Sequence, residues 1–133
     1  MKSVVILLAA LSTPALALPP TGLYPGDAEH AWWECHVQPA TRLVCCRESE
    51  GHVLRDNEWR AMERPGGVRV YQVHVGTRWF DVPVQAVIND IRNCGPEPNA
   101  QHRWMAKVWY APIRDAGGIV DLKIYCFIAG TMY

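Results

Sequence analysis

Two cysteines stand side by side in Leu43-Val44-Cys45-Cys46, and no other feature restricts the folding of this chain as much. Adjacent residues of an extended segment point to opposite faces. One sulfur can therefore bridge into a core while the other bridges to a covering loop. The chain carries five cysteines: Cys35, Cys45, Cys46, Cys94 and Cys126. Whether they are thiols or disulfides depends on the compartment, and the N-terminus bears on that.

Met1-Lys2 forms a short positive start, and Val4 to Leu11 is an apolar run. Ala15-Leu16-Ala17 has the small-x-small form of a signal-peptidase site. The expectation is a signal peptide over residues 1–17, cleaved after Ala17. The run is shorter than the ~20 residues a bilayer span needs, and no later stretch qualifies. Export to the periplasm or beyond makes disulfides the default state. An odd number of cysteines leaves one thiol over, or pairs it with another chain as a disulfide-linked dimer. The spacing alone does not fix which cysteines pair.

The 13 basic and 13 acidic residues balance, and removing Lys2 changes little. A near-neutral surface gives no electrostatic case for nucleic acid or anionic membrane as partner.

Along the chain, residues 18–27 are rich in Pro and Gly and read as an extended leader. Residues 28–133 read as one domain. Ala28 to Cys35 suits a helical turn with Asp27 as N-cap. Thr41 to Cys46 reads as a strand. Short strands are expected around His52 to Leu54 and Glu58 to Met62, with a turn at Pro65-Gly66-Gly67. Val68 to Val75 and Arg78 to Val82 are strand-like runs separated by Gly76-Thr77. That spacing predicts a hairpin in which Gly76 supplies a positive φ. Gln85 to Arg92 suits one or two helical turns, with Ala86, Val87 and Ile91 inward. From Arg103 to Tyr110, Trp104, Ala106, Val108 and Tyr110 alternate with Met105, Lys107 and Trp109. Ile113 to Gly118 is the expected connection. In the last strand Val120, Leu122, Ile124, Cys126 and Ile128 are expected to share a core face. The fold class is mainly β: a small antiparallel sheet or barrel-like domain of two hairpins with minor helix, stabilised by disulfides.

No catalytic constellation emerges. Ser49 lies in Arg-Glu-Ser-Glu, which is no nucleophile elbow. Glu48, Glu50, Asp56 and Glu58 form no general-acid pair. His36, His52, His74 and His102 are candidate partners of a surplus thiolate. Zinc sites favour C-x₂₋₄-C spacing, which the adjacent pair lacks. No cofactor or metal is expected from the motifs. Six tryptophans against two phenylalanines is unusual. Tryptophan serves binding surfaces as well as cores. Trp33, Trp59 and Trp109 are the candidates for a binding surface, while Trp79 and Trp104 are read as core or lid.

The order Trp32-Trp33, Cys45-Cys46, Val82-Pro83 with Ala86-Val87, Pro98-Asn99, and Cys126-Phe127 with Gly130-Thr131 resembles a group of small exported alphaproteobacterial proteins. That group has no established activity, so the resemblance implies location and fold and supplies no mechanism. Its members usually carry an Asp-Cys shortly after the cysteine pair. This chain has Glu50-Gly51-His52 there, which implies different bridging.

The expectation is a non-enzymatic exported binding or structural module whose partner is a protein or glycan of the cell envelope. The alternative is a metal- or redox-active protein using its Cys and His residues. Cys126 is expected to bridge to Cys45 or Cys46, with the remaining member of the pair tied to Cys35 or Cys94.

Overall fold

Gly76 has φ +63°, and the two-residue loop Gly76-Thr77 joins β3 (Val68–Val75) to β4 (Arg78–Asp81) as the hairpin rule requires. β2 (Trp59–Arg64) pairs with the other edge of β3, so β2-β3-β4 is an antiparallel meander. A second three-stranded antiparallel sheet has the order β1-β5-β6, formed by Gly51–Leu54, Ala106–Asp115 and Gly118–Ile128. These features belong to a computed structural model that describes residues 28–45, 50–90 and 94–131. The expected signal peptide and leader, Asp27, Cys46 and Ile91 lie outside the described residues. The mainly β class holds. The two sheets are separate three-stranded units rather than a closed barrel.

Between the sheets lies a core built from both. Val73 and Phe80 come from the meander, and Val108, Leu122, Ile124 and Phe127 from the other sheet. Each fully buried apolar side chain of this kind contributes roughly 1.5–3 kcal/mol. A 3-10 turn, Val84–Ala86, closes one side by burying Ala86. Val87 then bridges to Phe127 on the free edge of β6.

The last strand departs from its simple alternation. Trp109 pairs with Cys126 but Tyr110 pairs with Ile124, which leaves Tyr125 as an extra residue. Such a bulge shifts the side-chain phase by one. Leu122 and Ile124 therefore share the sandwich core with Phe127, while Cys126 and Ile128 turn to the opposite face. The single stripe from Val120 to Ile128 is thus two half-stripes, and Val120 itself is exposed. β5 keeps its expected phase: Ala106 and Val108 are in the sandwich core and Trp109 faces away. Most of the expected connection, Ile113 to Gly118, is strand, and the turn is only Ala116-Gly117. Pro112 is tolerated because it lies beyond the part of β5 that pairs with β1.

The far face of β1-β5-β6 carries a second core covered by α1 (Ala28–Cys35). Trp32 and Trp33 are both buried there, edge to face at 5.6 Å, and Trp33 meets Trp109 at 5.0 Å. Cys45 pairs with Cys126 and Cys35 with Cys94, each with Cα atoms 5.6 Å apart. The first pairing is among those expected. The second differs: it joins Cys35 to Cys94 and does not use Cys46. Cys35 ends the helix and Cys94 opens the loop beside it, so their closeness follows from docking of the helix. Of the expected strand Thr41 to Cys46, the described residues Thr41 to Cys45 form no strand either. Arg42 has φ +59°, and only the isolated bridge Val37–Val44 is extended.

Candidate functional site

Cys94 fixes the start of the loop Gly95-Pro96-Glu97-Pro98 against the helix, and Trp32 Nε1 donates to the Gly95 carbonyl at 3.1 Å. Flanking prolines restrict the backbone on both sides of Glu97. Its carboxylate is directed inward and is 1% exposed. From β5, Lys107 reaches the same place, and its Nζ lies 2.8 Å from Glu97 Oε2. The ammonium also donates to the carbonyls of His102 at 2.8 Å and Met105 at 2.7 Å. Three acceptors thus surround one buried cation, as burial of a charge demands. Burial pushes the Lys107 pKa down, and the Glu97 carboxylate opposes that shift.

Beside this pair opens a cavity of about 240 Å³. Trp32, Met105, Ile128 and Ala129 give it an apolar lining, with Glu97, Lys107 and Arg103 as polar groups. Trp104 stands at its edge and is 60% exposed. The tail holds that residue in place: Thr131 donates its N–H to the Trp104 carbonyl at 2.9 Å. Gly130 makes the approach close enough, because a Cβ there would lie 2.7 Å from the Ala106 nitrogen.

Behind the cavity wall, His36 is 2% exposed and sits near the Trp32 ring at 4.5 Å and the Trp109 ring at 5.3 Å. Its Nδ1 bonds the Trp32 carbonyl at 3.0 Å, and Nε2 has no partner. Desolvation lowers its pKa. This is the environment of a neutral imidazole that donates from Nδ1.

Trp33, Trp59 and Trp109 are 5%, 3% and 0% exposed and present no ring face to a partner. Trp33 and Trp109 pack in the helix-side core, and Trp59 in the sandwich core. The exposed ring is Trp104, which precedes β5 and is not drawn into it. On the meander, the half-buried Trp79 is covered by Arg60 at 4.1 Å and meets its cross-strand partner His74 at 5.0 Å. His52 stacks on Tyr110 at 4.7 Å, away from the cavity. With four cysteines paired, no thiolate from Cys35, Cys45, Cys94 or Cys126 is available for a metal or for nucleophilic attack.

Sequence reasoning missed Glu97 and passed over Lys107. Both left a signal: a lysine in phase with Trp109 on an alternating strand, and a lone acid between two prolines next to a cysteine.

No protein-family model, curated protein or solved structure matches the chain.

Proposed function

We propose that the chain is a non-enzymatic exported binding module of the cell envelope or secreted space, with the cavity beside Trp104 as its binding site. The observation that carries this reading is an indole ring left exposed at the rim of an apolar hollow. The ring supplies a large apolar face and one donor. Drug-sized ligands occupy ~300–1,000 Å³, so a hollow of about 240 Å³ suits a single anchoring group. Its apolar lining favours an apolar side chain of a partner protein over the hydroxyls of a glycan. The polar groups at the floor fix the orientation of what enters. The paired cysteines are compatible with a periplasmic or extracellular location. Among the described residues no helix is long and apolar enough to cross a membrane.

The test is a fluorescence titration of the oxidised protein with envelope protein fractions and with glycans, repeated on Trp104→Ala. Saturable quenching by the protein fraction that disappears in the variant is expected. A flat response to both classes overturns the reading. Saturation by glycans alone would overturn the choice of partner.

A further inference from the structure

Both Glu97 oxygens are shielded from solvent without a well-aligned hydrogen bond, but they face different neighbours. Oε2 faces Lys107, whereas Oε1 lies 3.8 Å from His102 Nδ1. That gap is too long for a hydrogen bond. Both Oε1 and Nδ1 are shielded from solvent and neither has a hydrogen-bond partner. Buried polar atoms are nearly always satisfied, and a facing pair that is not marks a place for a water or an ion. Glu29, in the first turn of α1, brings a second carboxylate: ligand atoms of Glu29, Glu97 and His102 all lie within 4.8 Å of one another.

We propose that Glu29, Glu97 and His102 hold a divalent transition-metal ion of the zinc class. The donor set is one imidazole and two carboxylates, which such ions accept at ~2.0–2.2 Å per ligand. Two donors on one ion are then at most about 4.4 Å apart. The 3.8 Å between Oε1 and Nδ1 already falls inside that span. Glu29 and His102 are half-buried and able to close the remainder. Charge also selects a cation. Ionised carboxylates offer only acceptors, which suit a cation and not an anion. Lys107 occupies Oε2 and leaves Oε1 for the metal.

The three ligands come from the helix, the Cys94 loop and the turn before β5. An ion there would add a second tie between segments that the Cys35–Cys94 bridge already joins. Reduction of that bridge would loosen the site, so metal affinity should fall in reduced protein.

The test is equilibrium dialysis of the intact oxidised protein against Zn²⁺, with Co²⁺ visible absorption as a second readout. One ion per chain is expected. Glu97→Gln would leave Lys107 unpaired and threatens folding, so Glu29→Gln and His102→Ala carry the test. Each should weaken binding at least about tenfold while its metal-free melting curve stays cooperative. His52→Ala, at a ring that stacks on Tyr110 and is not one of the three ligands, should bind as the unaltered protein does. Absence of saturable one-to-one binding overturns the proposal, as it would if a bridging water fills the gap. Binding that survives both ligand substitutions unchanged also overturns it.

Discussion

His36 shows how a single side chain sets a pH limit. Its folded-state pKa lies below the ordinary value of 6.5 because burial penalises the charged ring. Protonation would also place an unpartnered Nε2–H between two indoles. Where the folded pKa is depressed for a base, the unfolded chain binds more protons. Stability is then complete above the unfolded pKa and declines as pH falls from about 6.5 toward the folded value. At pH 5 the loss reaches at most about 2 kcal/mol from this group, since one pH unit is worth ~1.4 kcal/mol. Urea denaturation at pH 7.5 and 5 should show the drop, and His36→Phe should reduce the slope. An unchanged slope in that variant would assign the pH dependence to other groups. Glu97 and Lys107 make a second residue-level case. Removing one partner of a buried pair strands the other, at a cost of about 3–5 kcal/mol. Lys107→Met alone should show that loss. Adding Glu97→Met should recover much of it, because the stranded carboxylate is gone. A double variant as unstable as the sum of the singles would mean that the pair has no mutual coupling.

At the scale of elements, the two disulfides close loops of similar length, with separations of 59 and 81 residues. The chain-entropy model gives each about 4 kcal/mol. Burial separates them. Cys45 and Cys126 are both fully buried, whereas Cys35 is exposed. Cys126→Ser therefore adds an unsatisfied hydroxyl and a buried thiol to the entropic loss, while Cys35→Ser adds little. Under oxidising conditions the melting temperature should fall further for Cys126→Ser. Equal losses would show that loop closure alone sets the cost. The same scale explains what the sequence disclosed. Gly76 announced its hairpin because a two-residue loop needs a positive φ and glycine supplies it. β5 kept its alternation because nothing interrupts its phase from Ala106 to Tyr110. β6 misled because Tyr125 looks like any strand residue, and its bulge arises from pairing with β5 rather than from local propensity. Arg42 misled in the same way: a non-glycine at φ +59° carries no mark in the sequence. The cavity was hidden for a related reason, since the exposed indole is decided by where β5 begins and where the tail crosses it.

For the whole molecule, the decisive fact is that one sheet serves two cores. Among the described residues the sandwich core contains no cysteine, whereas the helix-side core contains Cys45 and Cys126 and packs against Cys94. α1 has only eight residues, too few to persist unaided in water, where isolated helices below ~12–15 residues are marginal. Its order depends on Trp32, Trp33 and the covalent ties. The two layers should therefore differ in their response to reductant. Loss of both bridges frees α1 and the Cys94 loop, while β2-β3-β4 stays packed on Val108, Ile124 and Phe127. Hydrogen exchange followed by mass spectrometry should show faster exchange over Ala28–Cys35 after reduction, with Val68–Val75 still protected. The Trp104 hollow would be lost with the helix, because Trp32 and the Cys94 loop form part of its wall. Binding at that hollow would then be confined to oxidising surroundings without any sulfur taking part in it. Uniform loss of protection across both sheets would mean that the layers fold as one unit and that the disulfides support the sandwich core as much as the helix.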